Sequence, residues 1–433
     1  MALGDFPGKV TIILAQIYNN LGAIDVVNNF LSVDIYEDIY TPYVYCELVI
    51  IDYNKLASSL PLMGEEFLMI SFKTEDGQII TYRFYLYQQD NGLILTNNKA
   101  QGYSLHGVTT ERAFDSSKTV SGSYKGTYAS IAGQIYDNFI YKEEELDFNF
   151  EGSKSIARYI PPQLSPLEAI EYCKRRAVPA GNVSSPYTFF RNSRGYNFIS
   201  YNGLFEMANK SSENVIHTLG APSPDPTRDD NQSVGGRPLR DDIISFEPQN
   251  KYNTVNKIDR GTFNTSSYSF DLTTKQYVER KQFNLVENKS KFQLGGVGEF
   301  NTNKFLDTFV NSRCYVEYRP TDFSIEFEGT QTDFLPDAVG EMNSYLGLFG
   351  QQEVRMLMYG DSNLTSGQTL TVVIHKPTDQ TNTPIIDNTH SGTYLISRMR
   401  HNIIFGTQTT YQCHVTGIKG AMNDTLRGLQ KNG

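Results

Sequence analysis

The chain has 433 residues, 39% hydrophobic and 20% charged, which is long enough for two to four packed units and ordinary for a globular protein. Its formal net charge of −10 excludes the basic footprint of a protein that grips nucleic-acid phosphates. Tyr and Phe number 28 and 26 against no Trp. Such side chains favour half-buried strands and contact surfaces, so composition points to mainly β structure with large interfaces.

The N-terminus, MALGDFPGKVTIIL, lacks the basic region and long apolar run of a signal peptide. No stretch approaches the ~20 apolar residues of a membrane span. Synthesis in a cytoplasm, without helical membrane insertion, is the expectation.

The first hundred residues alternate with period two. In FLSVDIYE, Leu31, Val33 and Ile35 are expected on one face and Ser32, Asp34 and Tyr36 on the other. In YVYCELVIID, Val44, Cys46, Leu48 and Ile50 share a face. EFLMISF, with Phe67, Met69 and Ser71 on one face, and IITYRFYLYQ follow. The Asp76-Gly77 pair between them suits a hairpin turn that needs positive φ. Several strands at short spacing argue for a barrel or sandwich.

From about Tyr124 the period becomes helical, with Tyr128, Ile131, Ile135 and Phe139 on one stripe and Ala129, Ala132 and Gly133 keeping it slim. A second helix is marked in LSPLEAIEYCKRRAV by Ser165 as N-cap, Pro166 at the first position and Glu168 completing a capping box. Leu167, Ile170, Cys173 and Ala177 would form its buried stripe, and Lys174 to Arg176 suit its last turn. YTFFRNSRGYNFISY then reads as two strands joined at Ser193 to Gly195.

The stretch 220–238, GAPSPDPTRDDNQSVGGRP, reads as a solvated linker. β-type residues return beyond it, with Gly261 and Asn264 at a turn, and 284–305 reads as an extended excursion. A helix is expected around Asp337 to Phe349. MLMYGDSNLTSGQTLTVVI, 356–374, has the pattern of a hairpin, with Gly360 supplying positive φ, Asp361 closing an Asx turn and Gly367 starting the return strand. The last strands, TYLISRMRHNI and TTYQCHVTGIK, meet at IFGTQ. In the second of them Tyr411, Cys413 and Val415 alternate with Gln412, His414 and Thr416.

The fold class expected is mainly β with α+β insertions: two β-barrel domains plus smaller mixed domains. The boundaries are 1–120 for the first barrel, 121–210 for an α+β domain, 211–240 for a linker, and 241–433 for the second barrel with an inserted segment around 280–350.

Chemistry is sparse. Cys46, Cys173, Cys314 and Cys413 are widely spaced and form no CxxC pair, so reduced thiols packed as small apolar residues are expected. The six histidines, His106, His217, His375, His390, His401 and His414, show no HExxH or HxH spacing. His401 and His414 could face each other across the final hairpin as half of a metal site, but no Cys, Asp or Glu clusters around them and no metal is expected. No GxSxG elbow, GxxxxGK[ST] loop or GxGxxG fingerprint occurs, and the GG of SVGGRP lacks a following Lys. The run Glu143 to Glu145 reads as a solvated acidic turn, and Glu37 and Asp38, adjacent on a strand, point to opposite faces. No catalytic, cofactor-binding or metal-ligating residue is assigned. No cofactor is implied, and the reading is not an enzyme.

Taken in order, these motifs resemble the central baseplate hub proteins of contractile-tailed bacteriophages, the T-even type in particular. The resemblance rests on MYGDSNLTSGQTLTVVI followed by SGTYLISRMRHNIIFGTQTTYQCHVTG, with the Leu364 to Gly367 turn and the strand carrying Tyr394, Leu395, Ile396 and His401. LSVDIYEDIYTPYVYCELVIID, the helix from Ser165 and YTFFRNSRGYNFISY fall in the family's order. It implies two tail-tube-like barrels and a homotrimer that presents six of them, adapting a six-fold tail tube to a three-fold spike. The implied partners are the central spike protein, the tail tube protein and surrounding baseplate proteins, with DNA only passing through an acidic channel. With no β-helical repeats and no lysozyme-like domain in the chain, the cell-puncturing tip would be a separate protein. The implied location is the virion tail baseplate, assembled in the host cytoplasm, and related contractile injection machines share the same architecture.

Two other classes compete. A receptor-binding tail adhesin would also be β-rich, aromatic and acidic, and would bind carbohydrate through exposed tyrosines. A cell-wall hydrolase would require a facing carboxylate pair or a zinc cluster.

Overall fold

The computed structural model describes residues 8–53, 62–75, 77–94, 101–140, 146–154, 156–181, 183–210, 215–219, 233–234, 237–250, 253–271, 275–285, 287–288, 313–319, 335–375, 386–387, 389–407 and 409–419.

Seven strands open the chain: β1 (Val10–Asn19), β2 (Gly22–Asp25), β3 (Phe30–Asp38), β4 (Tyr45–Asp52), β5 (Phe67–Thr74), β6 (Ile80–Ile94) and β7 (Gln101–Thr109). They ladder in the order β2-β1-β5-β6-β7-β4-β3. Val44, Cys46, Leu48 and Ile50 all enter the core, as their alternation requires. In β3 a register shift between Phe30 and Ser32 breaks the expected alternation. It turns Leu31 out to 43% exposure, while Val33 and Ile35 stay buried.

β5 and β6 form the hairpin expected around Asp76-Gly77, although Asp76 lies outside the described residues. The glycine serves a different purpose from the one its pairing suggests. Gly77 is not at positive φ; a Cβ there would lie 1.9 Å from the Ser362 Oγ and 2.1 Å from the Thr74 Oγ1. Close approach of a distant loop, not turn geometry, fixes it.

A mixed unit follows. The short helix α1 (Thr110–Asp115) leads to β8 (Tyr124–Thr127), α2 (Tyr128–Phe139), β9 (Asp147–Phe150), β10 (Ile156–Tyr159), α3 (Pro166–Arg176), β11 (Tyr187–Asn192), β12 (Gly195–Ser200) and α4 (Tyr201–Lys210). The capping box of α3 is formed: the Glu168 N–H donates to the Ser165 Oγ at 3.4 Å, and the Ser165 N–H donates to the Glu168 carboxylate at 3.1 Å. Asp115 of α1 docks on the same end, accepting from the Ser165 hydroxyl at 2.6 Å and the Leu167 N–H at 2.8 Å. Leu167, Ile170, Cys173 and Ala177 are buried with Ile131 and Ile135 of α2.

Two barrel strands follow, β13 (Ile216–Leu219) and β15 (Arg237–Asn250), with the short β14 (Ser233–Val234) paired to β15 outside the barrel. Beyond β15 lie α5 (Thr254–Asp259), β16 (Asn264–Asp271), β17 (Gln276–Asn284), β18 (Arg313–Arg319) and α6 (Leu335–Leu348), which covers the helix expected near Asp337. β16, β17 and β18 form a small sheet, and α6 lies against it through the Ser344 hydroxyl, which donates to the Thr262 carbonyl at 2.6 Å. Gly261 lies at the turn expected there, with φ +73°, and Asn264 already begins β16. Most of the linker and of the excursion at 284–305 lies outside the described residues. Residues 216–219, 233–234 and 237–250 are strands, however, so the segment 211–240 read as a linker contains strands that pair into the sheet.

The last strands are β19 (Gln352–Tyr359), β20 (Thr369–Val373), β21 (Gly392–Ile404) and β22 (Thr410–Lys419). They close a six-stranded ring in the order β21-β20-β13-β15-β19-β22, with β22 returning to β21. The segment 356–374 is therefore not a hairpin. β19 pairs with β15 and β22, β20 pairs with β13 and β21, and residues 360–368 arch over the ends of β21 and β22.

β21 belongs to both halves of the molecule. Its first residues pair with β20, and Arg398 to Ile404 pair with Asp38 to Ser32 of β3. The Tyr411 N–H of β22 donates to the Gly8 carbonyl at 3.1 Å, bringing the start of β1 back to this hairpin. Phe72 of β5 packs against His401 and Tyr411 with ring centroids at 6.0 and 5.7 Å. Where two separate barrels are expected, one ring closes fully. The N-terminal sheet curls around a core shared with β21 and β22, with no continuous ladder at its seam among the described residues.

Candidate functional site: the junction beneath the 360–368 arch

Each residue of the arch reaches a different part of the fold. The Gly360 N–H donates to the Tyr411 carbonyl at 2.9 Å. Asp361 accepts from the Asn363 N–H at 2.8 Å, the Asx turn expected of it, and from Arg240 of β15 at 2.7 Å. Ser362 and Thr74 at the end of β5 bond reciprocally, their hydroxyls 2.9 Å apart. The Asn363 carbonyl accepts from Arg194 at 3.1 Å, in the turn between β11 and β12. The Ser366 carbonyl accepts from Asn192 at 2.8 Å. Leu364 is buried in the apolar core. The arch thus ties the N-terminal sheet, the α+β unit and the barrel together.

Its centre is Glu37. Counting from Val33 and Ile35, Glu37 falls in phase with the apolar face of β3, so its carboxylate points inward, while Asp38 faces away and accepts from the Tyr40 and Thr41 N–H groups, both at 2.7 Å. The Glu37 carboxylate accepts from the Thr365 hydroxyl at 2.6 Å, from the Ser366 N–H at 2.9 Å and from the Tyr82 hydroxyl. The His401 Nε2 lies 3.4 Å away, and its Nδ1 is 2.7 Å from the Tyr411 hydroxyl. Three strands and the arch converge on one buried anion, and β22 joins through His401.

The electrostatics keep both groups charged. Burial pushes the Glu37 carboxyl up, but its hydrogen bonds and the His401 charge outweigh this and hold it below the usual carboxylate value. Burial pushes His401 down, yet contact with the Cys413 sulfur and the Glu37 carboxylate raises it to about 9. The sign for stability follows from the two directions. Glu37 contributes above its ordinary value of 4.5 and loses that contribution as pH falls through its lowered folded value. His401 contributes fully below 6.5 and loses its share as pH rises through about 9. Melting temperature should therefore hold a plateau between about pH 4.5 and 6.5 and fall as pH rises from 6.5 towards about 9. In His401→Gln that alkaline fall should disappear; if it persists unchanged, His401 is not its source.

Gly360 is fixed by proximity. A Cβ there would lie 2.0 Å from the Tyr411 ring, and its φ is not positive; Gly367, at φ +85°, is the turn's left-handed residue. Gly360→Ala should cost about 1–3 kcal/mol through forced repacking, read as a shift of the denaturation midpoint with unchanged slope. A neutral outcome would mean that the arch sits further from β22.

The other candidates do not gather into a reaction centre. His401 pairs with Cys413 and His414 with Arg400 across the hairpin, so the two histidines lie on opposite faces, one buried and one exposed, and cannot share a metal. His217 is buried on β13, 2.8 Å from Asp242, His106 meets Asp90 at 2.8 Å, and His390 meets Asp387 at 2.7 Å. Among the described residues no group of three or more His, Cys, Asp or Glu is placed to hold a metal. Cys46, Cys173 and Cys413 are buried free thiols, and burial pushes the Cys46 and Cys173 thiols up. Glu143 to Glu145, Gly235 and Gly236 lie outside the described residues, as does the Cys314 side chain. No helix among the described residues is long and apolar enough to cross a membrane.

This architecture, a closed six-stranded barrel sharing its final hairpin with an N-terminal sheet and carrying an α+β unit, is similar in fold to two solved tail proteins. The tail protein from Neisseria meningitidis MC58 matches with a TM-score of 0.53 at 9% identity, covering 96% of this chain and 98% of that one. The 43 kDa tail protein of prophage MuSo2 from Shewanella oneidensis matches with a TM-score of 0.51 at 9% identity, covering 95% and 99%. No protein-family model and no curated protein matches the sequence.

Proposed function

We propose that this chain is a structural, non-enzymatic component of a phage-type tail: a baseplate hub subunit that forms a homotrimeric ring between the tail tube and a central cell-puncturing spike. The observation that carries the reading is the end-to-end match in fold to two tail proteins, which spans the N-terminal sheet, the α+β unit and the barrel together. The junction supports it, since its ionisable groups are sealed inside the fold and serve as a brace rather than a surface for substrate. In this reading three copies set six barrel-like halves around a channel, and the chain's net charge of −10 lets DNA pass without sticking. The partners are a second and third copy, the tail tube protein, the spike protein and neighbouring baseplate proteins, and the location is the virion tail baseplate.

Light scattering on a sizing column, with negative-stain images of the peak, tests this. A mass three times 48.9 kDa in a ring with a central hole is the expected result, alone or with a candidate spike protein added. A monomer under both conditions would overturn the hub reading. Release of soluble fragments from purified peptidoglycan would overturn the non-enzymatic one.

A further inference from the structure

The outer face of the N-terminal sheet holds an arginine that the fold itself leaves unused. Arg83 of β6 lies among aromatic rings, its guanidinium carbon 4.8 Å from the centroid of Phe67 on β5 and 5.8 Å from that of Tyr18 on β1. Phe67 stacks on Tyr18 and meets Tyr85 edge-on, both at 5.5 Å, and Phe114 of α1 closes the cluster 6.2 Å from Phe67.

Other arginines of the fold have carboxylates: Arg191 has Glu111, Arg240 has Asp361 and Arg400 has Asp34. Among the described residues Arg83 finds no ion-pair or hydrogen-bond partner. Its Nε is buried without an acceptor, and the residue as a whole is half-buried. A half-buried guanidinium in this state has lost hydration and gained no acceptor in return. A planar, two-oxygen anion arriving from outside would satisfy it bidentately.

The chemistry of the rim narrows what that anion is. A phosphate backbone needs several cations in a row, whereas the neighbouring Arg112 is stacked 5.6 Å over Tyr43 with Asp115 4.0 Å away. One guanidinium ringed by tyrosine and phenylalanine is instead the composition of a protein interface hot spot. The same outer face continues through Tyr45 and Tyr87, 39% and 47% exposed. The chain itself carries 48 Asp and Glu against 38 Lys and Arg, so another copy brings a surface rich in the missing group. We propose that Arg83 and its aromatic rim dock an Asp or Glu side chain of a second copy of this chain. The inference deepens the trimer reading and rests on it.

The test compares wild type, Arg83→Glu and Arg83→Met as full chains, by light scattering across a concentration series with a thermal melt of each. Arg83→Met keeps the packing on Phe67 and removes the charge, which guards against a variant that merely misfolds. Both variants should melt with the wild type and need at least about tenfold more protein to assemble, with Arg83→Glu the more severe because it places like charges together. Folded variants that assemble like the wild type would overturn the docking site and leave the trimer reading standing. A wild type that stays monomeric with and without a candidate spike protein would overturn both.

Discussion

Glu37→Ala should destabilise the protein by about 3–5 kcal/mol, the usual cost of deleting one member of a buried charged pair. The substitution leaves the raised-pKa His401 without its counter-ion and strips acceptors from the Thr365 hydroxyl and the Ser366 N–H, all at full burial. Glu37→Gln should cost less, because an amide oxygen still accepts from the arch although the charge is gone. The check is a denaturant midpoint for each variant together with the pair Thr365→Ala and Glu37→Ala/Thr365→Ala. The double variant should fall well short of the sum of the singles, since both act through one bond. Additive effects would mean that arch and carboxylate are independent, and the junction would lose its role as a brace.

Arg191→Ala should be comparably severe, again about 3–5 kcal/mol. Arg191 heads the fully buried side chains by volume; it forms an ion pair with Glu111 of α1, and its guanidinium lies 5.8 and 5.9 Å from the centroids of Tyr82 and Tyr196. Truncation abandons a buried carboxylate and opens a cavity in the same step. Arg191→Met/Glu111→Leu, which removes both charges and keeps volume, should recover most of the loss. If the paired replacement is as damaging as Arg191→Ala, packing rather than charge governs the site.

These two positions also show what was legible in the sequence. The helix from Ser165 is set by signals within four residues, Ser-Pro-x-Glu, and it folds as read because nothing distant overrides a satisfied capping box. The hairpin at 187–200 and the final pair of strands are adjacent in sequence and find each other locally. The segment 356–374 misleads because strand, polar turn and strand look alike whether the two arms pair with each other or with partners elsewhere. Its one warning was length, since residues 360–368 exceed the roughly two to five of a tight hairpin turn. The inward Glu37 was readable too: a carboxylate two residues beyond Val33 and Ile35 breaks an apolar face and demands a buried partner. What was not readable is which partner, because His401 and Thr365 lie 364 and 328 residues away. Arg191 likewise sits mid-strand among aromatics, a pattern that announces a buried cation and leaves Glu111, 80 residues earlier, unnamed.

The shared hairpin has a consequence for how the chain is made. β3 emerges from the ribosome early, yet the strand that completes it arrives with the last part of the chain: Asp34 and Asn402, bonded in the fold, are 368 residues apart. At about 5–20 residues per second, roughly 20–70 s of translation separate them. Throughout that interval the nascent N-terminal sheet carries an open edge at β3, the kind of template on which neighbouring polysomes would aggregate. Slowing synthesis downstream of residue 109 should therefore lower the soluble yield, and a nascent-chain-binding chaperone should restore it.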